Sequence, residues 1–220
     1  SGKELLEICA AEQISLSEYA IRQEMELKNV SREDLFAQMK ITLDAMKESA
    51  TAGREKKVYS LSGLIGGDAY RLQQYCNTGN SLMGNGIVMA MAMAISSSEV
   101  NGAMASGAVV ELMGGTPKMS LDAAAIIFKN VLGLVCDPVA GLVEIPCAKR
   151  NVSGAINALC TADMVMAGVN SKIPFDDAVA AMYKVGTGLP EELRETALGG
   201  CAITPTGKAL QEKVFGKKEN

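Results

Sequence analysis

Residues 116–134 read Thr-Pro-Lys-Met-Ser-Leu-Asp-Ala-Ala-Ala-Ile-Ile-Phe-Lys-Asn-Val-Leu-Gly-Leu. The apolar run from Leu121 to Leu134 is interrupted only by Asp122, Lys129 and Asn130. That is too little polarity for a solvated face, so the stretch predicts a nearly buried helix, capped by Thr116 or Ser120. Immediately upstream, Gly114-Gly115-Thr116-Pro117 is a stop followed by a turn, because Gly caps a helix and Pro cannot continue one. From Gly86 to about Gly115 the sequence is rich in small residues (Ala90, Ala92, Ala94, Ser96 to Ser98, Gly102, Ala103, Ala105, Ser106, Gly107). Side chains this small let helix backbones approach closely, and methionines fill the remaining gaps.

Downstream, Asn151 to about Gly168 reads as an Ala-rich helix. Pro174 opens another, ending near Gly186, with Asp176 and Asp177 in the first turn where the helix dipole favours them. Pro190-Glu191-Glu192-Leu193-Arg194 looks like a short helix start, whereas Gly199-Gly200 and Thr204-Pro205-Thr206-Gly207 read as irregular. Toward the N-terminus, Leu5, Leu6 and Ile8 begin an apolar pattern, and Ser15 with Glu18 forms a capping box. Ser31 with Asp34 opens a helix whose stripe of Leu35, Met39, Leu43 and Met46 predicts a core-facing side. Its other face carries Arg32, Lys40, Lys47 and Glu48, and Gly53 with the charged run 54–57 breaks the pattern. No segment shows sustained β-branched alternation, so the expectation is an all-α, multi-helix catalytic domain with Gly/Pro-rich loops, one domain over residues 1–220.

Composition narrows the function. The 220 residues are 48% hydrophobic and 21% charged, with 21 basic against 25 acidic side chains and a net charge of −4. That balance fits neither a general nucleic-acid binder nor a protein drawn to anionic membranes. There is no histidine, which removes a Ser-His-Asp triad, a Cys-His pair and a histidine-ligated metal from these residues. Six cysteines with irregular spacing make a poor disulfide scaffold. No basic-then-apolar export signal is visible, and the apolar run Ile87 to Ile95 falls short of the ~20 residues a membrane span needs. The expectation is a cytoplasmic chain with reduced thiols, of which Cys9, Cys76 and Cys160 serve as small core residues.

Two segments could carry chemistry. Tyr59-Ser60-Leu61-Ser62-Gly63-Leu64-Ile65-Gly66-Gly67-Asp68-Ala69 is costly to order. It is either a plain turn or a loop whose amides approach a bound anion, with Asp68 and Ala69 opening the next helix. The second segment runs from Leu134 to Asn151, with Cys136 and Cys147 eleven positions apart. Pro138, Gly141 and Pro146 rule against one continuous helix. A looped segment can fold back so that both sulfurs converge, as thiolates do on an iron–sulfur cluster. Cys147 precedes a predicted helix start, where amides and the cations Lys149 and Arg150 would lower its pKa. On spacing alone, ligand and buried-thiol readings of the pair both stand.

The string from Lys129-Asn130 through Asn151 resembles the α chain of iron–sulfur-dependent L-serine dehydratases. So do Ser62-Gly63-Leu64-Ile65-Gly66-Gly67-Asp68-Ala69, Ser98-Glu99-Val100-Asn101-Gly102-Ala103-Met104, and the tail from Leu189 through Thr196 to Thr204-Pro205-Thr206-Gly207. The resemblance implies a lyase of amino-acid degradation and gluconeogenesis that turns L-serine into pyruvate and ammonia without pyridoxal phosphate. It implies a [4Fe-4S] cluster held by three cysteines, with one iron left open as a Lewis acid toward the serine hydroxyl. Carried over residue by residue, Cys136 and Cys147 are cluster ligands. Ser62, Gly63, Gly66, Gly67 and Asp68 cradle the substrate. Lys149, Arg150 and Asn151 hold its carboxylate or tune the cluster, and the base is unassigned, with Ser62 a first guess.

One departure stands out. In the family, a Gly-Gly-Cys segment after Met104 supplies the first cluster ligand. Here Met104 runs directly into Ala105-Ser106-Gly107-Ala108, which resembles family sequence lying well beyond that cysteine. The family's central segment is absent near 104/105, the helix across that join is suspect, and the cluster is expected to be missing from this form. The family often splits into two chains, so a β chain partner is expected, and a homo-oligomer is compatible with the sequence. Two alternatives remain: a cysteine desulfidase-like lyase, and a non-catalytic helical subunit with core thiols.

Overall fold

The computed structural model describes residues 1–54, 97–142 and 145–216. Eight α-helices run through them: α1 (Gly2–Glu12), α2 (Leu16–Lys28), α3 (Arg32–Arg54), α4 (Ser97–Leu112), α5 (Pro117–Asn130), α6 (Cys147–Met166), α7 (Phe175–Gly188) and α8 (Pro205–Phe215). Three short 3-10 turns, Val139–Gly141, Glu191–Leu193 and Gly200–Ile203, punctuate the connections. Among the described residues there is one isolated β-bridge and no named strand. The all-α expectation holds.

The core is a stack of α4, α5 and α6, with α7 laid against α5. Val100 and Ala103 of α4 pack with Ala124, Ala125, Ile127 and Phe128 of α5 and with Ala178 and Met182 of α7. Deeper along the stack, Val110, Ala123, Ile126, Ala162 and Val165 form a second cluster. The predicted close approach is real: a Cβ on Gly102 would sit 3.3 Å from the Gly154 carbonyl oxygen and 3.3 Å from Ile127 Cγ2. With no side chain at either glycine, α4 and α6 cross nearly backbone to backbone.

α5 begins as its sequence predicts, with Thr116 accepting the Met119 amide at 3.3 Å and Pro117 in the first turn. It stops earlier than the apolar run does, at Asn130 rather than Leu134. Gly133 takes φ +82, and the chain turns away there toward the cysteine segment. The helix across Met104–Ala105 is continuous, and Ala103, Ala105 and Ser106 on either side of the join are all buried. α6 starts at Cys147, one turn before the predicted Asn151.

Three N-terminal expectations need correction. Ser15 accepts the Glu18 amide, but the Glu18 carboxylate bonds Arg22 and Arg32 and does not return to the cap. The stripe on α3 is covered only at its start: Leu35 is buried, while Met39 is 50% and Leu43 44% exposed. α3 packs on α2 and leaves the core after its first turns. Nor does Gly53 break it, since α3 runs to Arg54. The fourth correction lies at the other end, where Thr204-Pro205-Thr206-Gly207 opens a helix, Thr204 accepting the Gly207 amide at 3.1 Å. Cys9 is buried as expected, but Cys160 is exposed, on the outer face of α6 beside Ile156 and Leu159.

Candidate thiol centre

After α5 the backbone loops from Val131 to Pro146 before it re-enters helix at Cys147. The Cys136 amide donates to the Leu193 carbonyl at 2.9 Å, and the Glu195 amide donates to the Cys136 carbonyl at 2.7 Å. This parallel bridge to Arg194 fixes Cys136 against the turn that follows α7. Buried Pro138 and Val139 continue the loop, and the Val139 amide reaches the Ile145 carbonyl at 2.8 Å. That bond closes the excursion between the two cysteines, with positive φ at Ala140 and Gly141 making the reversal. The Ile145–Pro146 peptide bond is cis. Cys147 is the first residue of α6, and Pro146 supplies no side-chain cap.

Cys147 acts electrostatically on Cys136. Burial pushes Cys136 up to about 11, and Cys147 and Glu195 push the same way while Arg150 opposes them. Cys147 is also raised, first by burial, with Arg150 again the main opposing influence. The expected net lowering at the helix start therefore does not occur. Desolvation of the thiolate outweighs the cation and the first-turn amides, and exposed Lys149 does not figure among the causes.

Arg150 donates from Nη1 to the Val135 carbonyl at 2.7 Å and to Asp137 Oδ1 at 2.5 Å. The other oxygen of Asp137 accepts the Cys201 amide at 2.6 Å. Asp137 is 2% exposed. Burial alone would raise its carboxyl, but the Cys201 amide and Arg150 hold it below the usual carboxylate range. Cys201 is raised chiefly by its own hydrogen bond to Asp137. Asn151 is half-buried in the next position of α6. Ser62, Gly63, Gly66, Gly67, Asp68 and Cys76 lie outside the described residues.

The structure thus brings together Cys136, Cys147 and Arg150, and leaves Lys149 at the surface of the same turn. Sequence reading missed Asp137, Glu195 and Cys201. An acid placed between a cysteine and a proline was the available signal for Asp137, whereas nothing local marks Cys201. Among the described residues no three Cys, Asp or Glu side chains gather around one point. As a donor set, two half-buried thiols beside a guanidinium are soft ligands of the kind that iron–sulfur clusters take, and they supply two thiolates toward a cluster that needs more. A cavity of about 490 Å³ near Leu6, Leu121 and Phe175 shares no residue with this centre.

A helical domain that presents paired thiols on one reversed loop is the class that fold and site define. Comparison with known proteins places it more closely. The model of the serine dehydratase alpha chain matches residues 11–104 and 101–202, and the chain belongs to that family. It is 39% identical over 284 residues to a Bacillus subtilis (strain 168) protein named as a probable L-serine dehydratase alpha chain, covering 97% of this chain and 94% of that one. An L-serine dehydratase alpha chain of Peptoniphilus asaccharolyticus is 32% identical over 281 residues, covering 96% of each chain. A Latilactobacillus sakei protein named as a probable L-serine dehydratase alpha chain is 57% identical over 115 residues, 52% of this chain and 55% of the relative. The Bacillus match spans 284 positions against 220 residues here, so at least 64 positions of that alignment have no counterpart in this chain.

Proposed function

We propose that this chain is the α-type chain of an L-serine dehydratase, a lyase that converts L-serine to pyruvate and ammonia. The observation that carries the reading is the loop that sets two half-buried thiols, Cys136 and Cys147, beside Arg150 in a chain matching the family almost end to end. The relatives above are named for serine and lend nothing to the cysteine-lyase alternative. No helix among the described residues is long and apolar enough to cross a membrane, which is compatible with a cytoplasmic enzyme. The alpha-chain naming of the relatives supports a β chain partner.

The reaction removes the α-proton and the β-hydroxyl of serine as one water. The resulting 2-aminoacrylate tautomerises to an imine, which takes up water and releases ammonia to leave pyruvate. Cys136 and Cys147 would supply two of the three thiolates that hold a [4Fe-4S] cluster in the family; the central segment that carries the third is absent at 104/105 in this sequence. When bound, the cluster supplies Lewis acidity toward the serine hydroxyl, a leaving group too poor to depart as hydroxide.

The chain's own residues do the rest. Arg150 sets a fixed positive charge beside both thiols and favours their ligating, deprotonated form. Lys149, exposed in the same helical turn, is the cation open to the substrate carboxylate. Asn151 lies one position further and can bond a substrate oxygen. The Ser62 to Asp68 stretch of sequence would supply amides and a hydroxyl to the same carboxylate, and Ser62 is the first group to test as base. Anaerobic reconstitution with iron and sulfide, followed by a serine-dependent pyruvate assay, tests the reading. A protein that takes up iron and sulfide yet yields no pyruvate from serine removes it.

A further inference from the structure

Among the described residues, Asp137 is the one ionisable side chain in the fully buried polar set, whose other members are serines and a threonine. Its two oxygens tie three stretches of chain: the loop beside Cys136, the first turn of α6 through Arg150, and the Gly200–Ile203 turn through the Cys201 amide. The fit is close. A Cβ on Gly200 would come within 2.1 Å of Asp137 Oδ2, and Gly200 holds φ +56, a conformation glycine takes freely.

A buried ion pair is costly to desolvate, and an apolar replacement is often as stable, so stability alone is a weak reason for one here. Placement offers a better reason. Asp137 follows Cys136 directly, and its partner Arg150 sits three residues after Cys147 on the helix that Cys147 begins. Arg150 also bonds the Val135 carbonyl on the other side of Cys136. One carboxylate therefore sets where the helix bearing the second thiol meets the loop bearing the first.

We propose that Asp137 is a positioning residue. Through Arg150 and the Cys201 amide it sets the relative placement of Cys136 and Cys147, and hence how well they grip an iron–sulfur group. This rests on the reading that those two thiols hold such a group. Partners that orient metal ligands without touching the metal are worth about 10- to 100-fold in metal affinity, and that is the loss expected on removing this one.

The test reconstitutes the full-length protein anaerobically with iron and sulfide. Bound iron and acid-labile sulfide are measured across a range of iron concentrations, with the electron paramagnetic resonance spectrum of the reduced form. Wild type is compared with Asp137→Asn and with Gly200→Ala, which displaces the carboxylate from a distant segment. Cys160→Ala, on an exposed face, is the control. The expected result is native helicity in both variants, half-loading shifted at least tenfold in iron concentration, and an altered spectrum at partial loading. Wild-type loading and spectrum in both variants overturn the proposal while leaving the thiol centre standing. Loss of helicity in both before any iron is added also overturns it, since Asp137 then holds the fold and not the ligands. If one variant keeps its helicity, the loading of that variant decides. Wild type that binds no iron overturns the cluster reading and this proposal with it.

Discussion

Cys136 straddles Arg194: its amide donates to the carbonyl before Arg194 and its carbonyl accepts from the amide after it. The thiol is thereby pinned from outside its own loop, by a turn in which Glu195 and Ala197 both carry positive φ. Non-glycine residues in that region cost about 1–2 kcal/mol each, so the turn is strained on the side that grips Cys136. Replacing Glu195 with Pro removes the donor to Cys136 and demands φ near −65° where +64° is required. The expected outcome is a loss of about 2–4 kcal/mol in urea-unfolding stability. It should come with iron loading reduced about as much as in Asp137→Asn. Unchanged unfolding would show that the bridge is dispensable.

The glycine crossing makes a packing prediction. Gly102→Val places branched carbons where the Gly154 backbone and Ile127 already stand 3.3 Å from a bare Cβ. Overpacking of this kind costs about 1–3 kcal/mol. Ile127, only 1% exposed, is the other half of the contact. Ile127→Ala should cost about 2–5 kcal/mol through lost burial and a cavity. Urea titration of the two single variants and the double variant measures both. Because the two sites touch, the double variant should be less destabilised than the sum, part of the cavity being filled by valine.

These two positions also show how far sequence reading reaches. The helices were legible where a capping signature coincided with an apolar run, as at Thr116-Pro117, and small side chains signalled a close helix approach without naming Gly154 as the partner of Gly102. The same Thr-Pro signature at Thr204-Pro205 was read as irregular, because the helix behind it has a weak apolar pattern, with Lys208, Glu212 and Lys213 among its residues. The stripe on α3 marked an amphipathic helix correctly, yet periodicity says nothing about what covers a face, and Met39 and Leu43 are exposed. At the thiol centre, the loop and its two cysteines were visible because prolines and a glycine forbid a helix there. The net pKa direction was not, since burial cannot be read from spacing. Asp137 and Cys201 meet across 64 positions of sequence, a contact with no local signal.

A pH dependence follows from Asp176. Its carboxylate accepts the Gly2 amide at 2.7 Å and the Lys3 amide at 3.2 Å, and the Gly2 bond is the main cause holding it below the usual carboxylate range. A carboxyl lowered in the folded state binds protons more weakly than in the unfolded chain. Its contribution is therefore complete above the unfolded pKa of about 3.9 and fades as pH falls through the lower folded value. Asp176→Asn should lower the melting temperature at pH 6 and approach wild type at pH 2.5 to 3. A gap that persists unchanged at low pH would show that the charge plays no part.

Thiol reactivity offers the most direct check on the centre, because it needs no metal. Cys160 lies exposed on α6, while burial pushes Cys136 up to about 11 and raises Cys147 as well. The thiolate is the reactive form, so at pH 7.5 iodoacetamide should modify Cys160 first and leave Cys136 and Cys147 slow. Raising the pH to 10 should increase the rate at Cys136 steeply, as more of it ionises toward its raised value. Removing the nearby cation by Arg150→Met should slow both half-buried thiols further, since Arg150 is what opposes desolvation there. Peptide mapping of the labelled protein gives the order directly. Labelling of Cys136 ahead of Cys160 at neutral pH would mean that this thiol is neither buried nor raised, and the account of the centre would have to be redrawn.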